Sequence, residues 1–91
     1  MKRIQIITKG RVQGVGFRMY VQQMANSHSL TGWVKNLDSG AVEINAQGDE
    51  TALSLFESKL LTGNRFIRVD TIEKQELSPL KNENGFQIRY Y

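Results

Sequence analysis

The sequence predicts an α/β sandwich of the ferredoxin-like (α+β) type. Its elements run β-α-β-β-α-β plus a short terminal strand, with a mainly antiparallel sheet and two helices on one face. Three observations lead there. Two segments of helical period each separate strand-like runs, the second and third runs are joined by a short turn ending in Gly40, and no linker or internal repeat interrupts the 91 residues. A right-handed crossover from the first strand to the second leaves a slot between them, which the third, hairpinned to the second, fills antiparallel.

Ile4, Ile6 and Thr8 alternate with Arg3, Gln5 and Lys9, the period of a half-buried first strand whose Lys2, Arg3 and Lys9 decorate a solvated face. Phe17, Tyr20, Val21, Met24 and Ala25 recur at helical spacing, so a first helix runs from residue 17 to about 28 and stops in Asn26-Ser27-His28-Ser29. Thr31 to Asn36 reads as the second strand, Leu37-Asp38-Ser39-Gly40 as a turn, and Ala41 to Gln47 as the third strand, with Val42, Ile44 and Ala46 facing inward. Gly48 ends it. Asp49 caps a second helix whose buried stripe is Leu53, Phe56 and Leu60 and whose stop is Gly63. Ile67, Val69 and Ile72 suggest a fourth strand with a bulge near Asp70-Thr71. After loop signals at Pro79 and Asn82 to Gly85, Phe86 to Tyr90 forms a short last strand.

The chain is read as one domain, 1–91. Without cysteine it has no disulfide or thiolate zinc site, and a single histidine argues against a metal centre. The apolar residues of the basic N-terminus are too few for a signal peptide or a membrane span, so a cytoplasmic protein is the default reading. Charge is unevenly spread. Residues 1–37 carry +6 with no carboxylate, and the remainder carries −3, which favours an anionic ligand near the N-terminal part.

That part contains Gly10-Arg11-Val12-Gln13-Gly14-Val15-Gly16-Phe17-Arg18, with three glycines in seven residues between a strand and a helix N-terminus. Such a segment reads either as a tight connection or as a cradle of backbone N–H groups for an anion, with Arg11 and Arg18 flanking it. Met19 stands where a dinucleotide loop needs its third glycine, and no Gly-Lys-Ser/Thr occurs. His28 lies about 12 Å along the helix from the loop and is assigned a structural or solvent-facing place. The predicted topology brings the end of strand two, Asn36, to the same sheet edge as the loop. A side-chain amide there can hold a water molecule, or merely form a turn.

The loop string, followed by Gly32-Trp33-Val34-Lys35-Asn36 and then Gly40, Val42 and Gly48, resembles the acylphosphatase family over essentially the whole chain. The resemblance implies hydrolysis of the carboxyl–phosphate bond of acyl phosphates, by in-line attack of water and with neither metal nor cofactor. It implies that Arg18 is the catalytic arginine and Asn36 the water-orienting residue, and that backbone N–H groups of Gln13, Gly14, Val15, Gly16, Phe17 and Arg18 cradle the phosphate. The expected partner is a small-molecule acyl phosphate, with no nucleic acid or membrane, and the expected state is a monomer. Two positions depart from the family pattern: Ser39 precedes Gly40 where Asp-Gly is common, and Ser29 replaces a glycine after the first helix. The alternative reading is a non-catalytic anion- or nucleic-acid-binding module. It lacks an aromatic RNP1 string, and Trp33, Tyr90 and Tyr91 are read as packing residues.

Overall fold

A computed structural model describes residues 1–90. The elements are β1 Lys2–Arg11, α1 Phe17–Ser27, β2 Thr31–Asn36, β3 Val42–Gly48, α2 Glu50–Thr62, β4 Arg68–Leu77 and β5 Phe86–Arg89. The sheet order is β4-β1-β3-β2-β5. β3 fills the slot between β1 and β2 and is antiparallel to both, β4 is antiparallel to β1, and β5 is parallel to β2. One edge of the sheet therefore collects the ends of β1, β2 and β5 and the start of β4.

β1 and β4 outrun their apolar alternation because backbone pairing continues between them into polar residues. The expected bulge is there. Lys9 faces Thr71 and Gly10 faces Val69, leaving Asp70 as the extra residue. Gly10 is required at this point by close approach, since a Cβ on it would collide with the Arg68 carbonyl. Its task is against β4 and not toward a ligand.

The helices cover one face. Phe17, Val21, Met24 and Ala25 of α1 and Leu53, Phe56 and Leu60 of α2 are buried against Ile4, Ile6, Val34, Val42, Ile44 and Ala46, at the 3.6 and 2 periods of the sequence. Tyr20 joins the two helices. Its hydroxyl donates to the carbonyls of Lys59 (3.0 Å) and Gly63 (3.3 Å), and burial raises its pKa.

α1 ends in a Schellman turn. Leu30 N–H donates to Ala25 O and Ser29 N–H to Asn26 O, with Ser29 itself at φ 56°. His28 Nδ1 lies 2.8 Å from the Met24 carbonyl, which accepts its proton. The histidine is structural, as expected from its distance to the loop.

The helix-free face departs from the expectation for Arg3. It is not solvated: Arg3 is 3% exposed and holds Glu83 in a two-bond fork of 2.7 and 3.2 Å. The β4–β5 connection folds back over this end of the face. Its Glu83 also accepts from Thr31 Oγ1, and the Gln47 side chain bonds the backbone of Leu80 in both directions. Gln47 is consequently buried, and Asn45 on the same strand is buried too. Among the described residues, no helix is long and apolar enough to cross a membrane.

Candidate active site

At the edge where β1, β2 and β5 end, a cleft of about 210 Å³ opens, lined by Val12, Gly14, Gly16, Phe17, Arg18, Met19, Asn36, Ile88 and Tyr90. Among the described residues no carboxylate side chain lines it. Five of the residues singled out from the sequence therefore meet: Gly14, Gly16, Phe17, Arg18 and Asn36.

The loop between β1 and α1 takes its shape from Gly16, the N-cap of α1, which adopts a left-handed φ of 75°. Nothing stands where its Cβ would be, so backbone conformation is what selects glycine at this position. No side chain caps α1, and its first turn holds no acidic residue. The N–H groups there keep their donor capacity and the positive end of the macrodipole is not neutralised. At α2, by contrast, Asp49 accepts from Thr51 N–H and Ala52 N–H, and Glu50 sits in the first turn.

Gln13 and Val15 do not line the cleft. The Gln13 amide donates to the carbonyls of Leu37 (2.8 Å) and Ala41 (2.9 Å), tying the glycine loop to the turn that follows Asn36. Val15 packs against the core, and the Phe17 ring is buried in it. What these three residues can present to a ligand is backbone.

Arg18 lies in the first turn of α1 with its guanidinium 4.8 Å from the centroid of the Tyr90 ring. A cation–π contact uses the charge of the guanidinium and not its N–H donors, which stay open to other partners. Tyr90 was expected to pack. It is instead 73% exposed. Tyr91 lies outside the described residues. Trp33 sits on the helix-free face between Arg89 at 4.5 Å and Lys35 at 5.5 Å. Arg11 points away from the cleft, into a separate hollow with Arg65 and Arg68, so its place beside the loop in sequence does not bring it to the site.

Asn36 closes β2. Its Oδ1 is buried without a hydrogen-bond partner, the one such side-chain atom among the described residues. An orphaned acceptor of this kind costs about 1–3 kcal/mol, and Asn36 lines the same cleft as Arg18. Among the described residues no three His, Cys, Asp or Glu side chains come together as a set of metal ligands.

Met19, Ile88 and Tyr90 line the cleft without having been anticipated. The alternation of β5 puts Phe86 and Ile88 on one side, and Tyr90 follows just beyond the strand. Only the parallel pairing of β5 with β2, which joins Gly32 to Phe86 and Lys35 to Arg89, carries that side to this edge.

With the geometry described, the chain can be set beside known proteins. A family model described as Acylphosphatase matches residues 4–88. The acylphosphatase of Geobacillus thermodenitrificans is 46% identical over 90 residues, which cover 99% of this chain and 96% of that protein. The crystal structure of acylphosphatase from Bacillus subtilis aligns with a TM-score of 0.93 at 46% identity, over 99% of this chain and 100% of that one. An acylphosphatase structure from Coxiella burnetii gives 0.89 at 33% identity, over 97% and 92% of the two chains.

Proposed function

This chain belongs to the acylphosphatase family, and from that premise we propose that it hydrolyses acyl phosphates with Arg18 and the α1 N-terminus holding the phosphoryl group and Asn36 holding the attacking water. The phosphoryl oxygens take N–H bonds from the Gln13–Arg18 backbone and two parallel bonds from the Arg18 guanidinium. Charge-assisted bonds of this sort contribute about 1.5–3 kcal/mol each. They strengthen as charge spreads over the equatorial oxygens in the transition state.

Water accepted by Asn36 Oδ1 attacks phosphorus in line with the carboxylate leaving group. The new P–O bond forms as the bond to the acyl oxygen breaks, and the electron pair leaves on the carboxylate. One water proton remains on the attacking oxygen and the other passes to a phosphoryl oxygen, giving carboxylate and dihydrogen phosphate. A good leaving group makes positioning the main requirement, and among the described residues the cleft offers no side chain suited to be a general base.

The observation that carries this reading is that Asn36, whose Oδ1 is buried and partnerless, lines the same cleft as an arginine and an uncapped helix. The chain is further read as a single-domain monomer of the cytoplasm that needs no metal.

Acetyl phosphate hydrolysis in EDTA tests the scheme. Wild type should turn over and run as a monomer in sedimentation. Arg18→Ala should lose on the order of a thousandfold in kcat and Asn36→Ala about a hundredfold or more, with circular dichroism unchanged. A fully active Asn36→Ala overturns the water-holding role, and loss of wild-type activity on chelation overturns only metal independence.

A further inference from the structure

The cleft has two chemically different ends. Gly14, Gly16, Arg18 and Asn36 make one, and Met19, Ile88 and Tyr90 make the other. The second end is a continuous apolar row. Phe86 and Ile88 lie along β5 on the side facing α1 and Tyr90 follows just past its end, with Phe86 buried in the core, Ile88 half-buried and Tyr90 73% exposed. Met19, 60% exposed, lines the same cleft from the first turn of α1. Single exposed apolar side chains need no explanation on a protein surface. Here two large ones border the same cleft as the proposed phosphate-binding groups. The Tyr90 ring also lies beside Arg18, its centroid 4.8 Å from the guanidinium.

A substrate phosphate held at the polar end directs the rest of the molecule outward. The acyl carbon is joined to phosphorus through one oxygen, so the remainder of the acyl group must leave the cradle across the rim. The rim residues Met19 and Ile88 carry no hydrogen-bonding or charged group, and methionine adapts its shape to irregular apolar partners. A chain of methylenes crossing this rim sheds water. A terminal carboxylate or hydroxyl would meet no partner on Met19 or Ile88.

We infer that Met19, Ile88 and Tyr90 form an acyl subsite and that the enzyme selects acyl phosphates with an extended apolar acyl chain over acetyl phosphate. The inference rests on the phosphate-holding role proposed for Arg18 and the α1 N-terminus.

The test uses acetyl, butanoyl and hexanoyl phosphate, whose carboxylate leaving groups are nearly equal in basicity, so intrinsic reactivity stays constant along the series. Succinyl phosphate serves as the chain-bearing anionic control. For wild type, kcat/KM should rise about tenfold from acetyl to hexanoyl phosphate and should not rise for succinyl phosphate. Met19→Ala and Met19→Gln should each flatten the rise several-fold. Tyr90→Ala, which also frees Arg18, should lower all rates and flatten the series as well. A flat wild-type series with normal acetyl phosphate turnover overturns the subsite and leaves the proposed function standing. A rise that survives in all three variants also overturns it. A wild type inactive on every member of the series overturns both.

Discussion

Ser29 and Asn36 are each held in a state their own chemistry disfavours, and for different reasons. Ser29 occupies the left-handed position of the Schellman turn at φ 56°, where a side chain costs about 1–2 kcal/mol relative to glycine. Ser29→Gly should therefore raise stability by about 1 kcal/mol and Tm by about 4–8 °C. A thermal melt with an unchanged or lower Tm would show that the serine is relaxed there. The departure from glycine was visible in the sequence, and the left-handed backbone gives it a cost. Asn36 is different, because it lines the cleft while its Oδ1 is buried and partnerless. Its type and spacing from the glycine loop marked it in the sequence. Its orphaned oxygen did not show there, since hydrogen-bond satisfaction depends on every neighbour at once.

The strands and helices were legible because each has a clean period and local stop signals. Phe17, Val21, Met24 and Ala25 mark α1, Asp49 and Gly63 bracket α2, and the phase slip at Asp70 locates the bulge. What local pattern could not supply was the partner of β5, so Ile88 and Tyr90 came as an addition to the site. A second element-level link is the Gln13 side chain, which fastens the glycine loop to the β2–β3 turn through the carbonyls of Leu37 and Ala41. Both carbonyls also accept from the turn's own backbone, so Gln13→Ala should cost only about 1 kcal/mol of stability. It should nevertheless lower kcat/KM for acetyl phosphate about tenfold or more, as the cradle loses its registration with Asn36. Urea unfolding and steady-state kinetics on one preparation separate the two effects. Wild-type kinetics in the variant would disconnect the turn from the cradle.

For the molecule as a whole, the acid-free first 37 residues do surround the cleft, but not every charge there faces a ligand. Arg3 was misread because a strand's alternation says which face a residue is on, not whether a later connection covers that face. Burial pushes the Glu83 carboxyl up, but hydrogen bonds from Arg3 and Thr31, with the charges of Arg3 and Arg89, outweigh it and hold the group below its ordinary 4.5. The unfolded chain therefore takes up this proton first as pH falls. The pair's stabilisation is present above pH 4.5 and is lost as pH drops through the lower folded value. Glu83→Gln should cost about 3 kcal/mol at neutral pH. The gap to wild type should narrow in acid, as urea titrations at several pH values would show, and a gap independent of pH would remove Glu83 from the acid response. A different linkage follows from the uncapped α1 and the partnerless Asn36 Oδ1. A bound anion satisfies the helix N–H groups and a water donating to Oδ1 satisfies the amide, so the folded population answers to solution composition by mass action. Each tenfold of free phosphate above its dissociation constant adds about 1.4 kcal/mol, which makes the concentration of the enzyme's own product one of the variables setting how firmly the chain is folded.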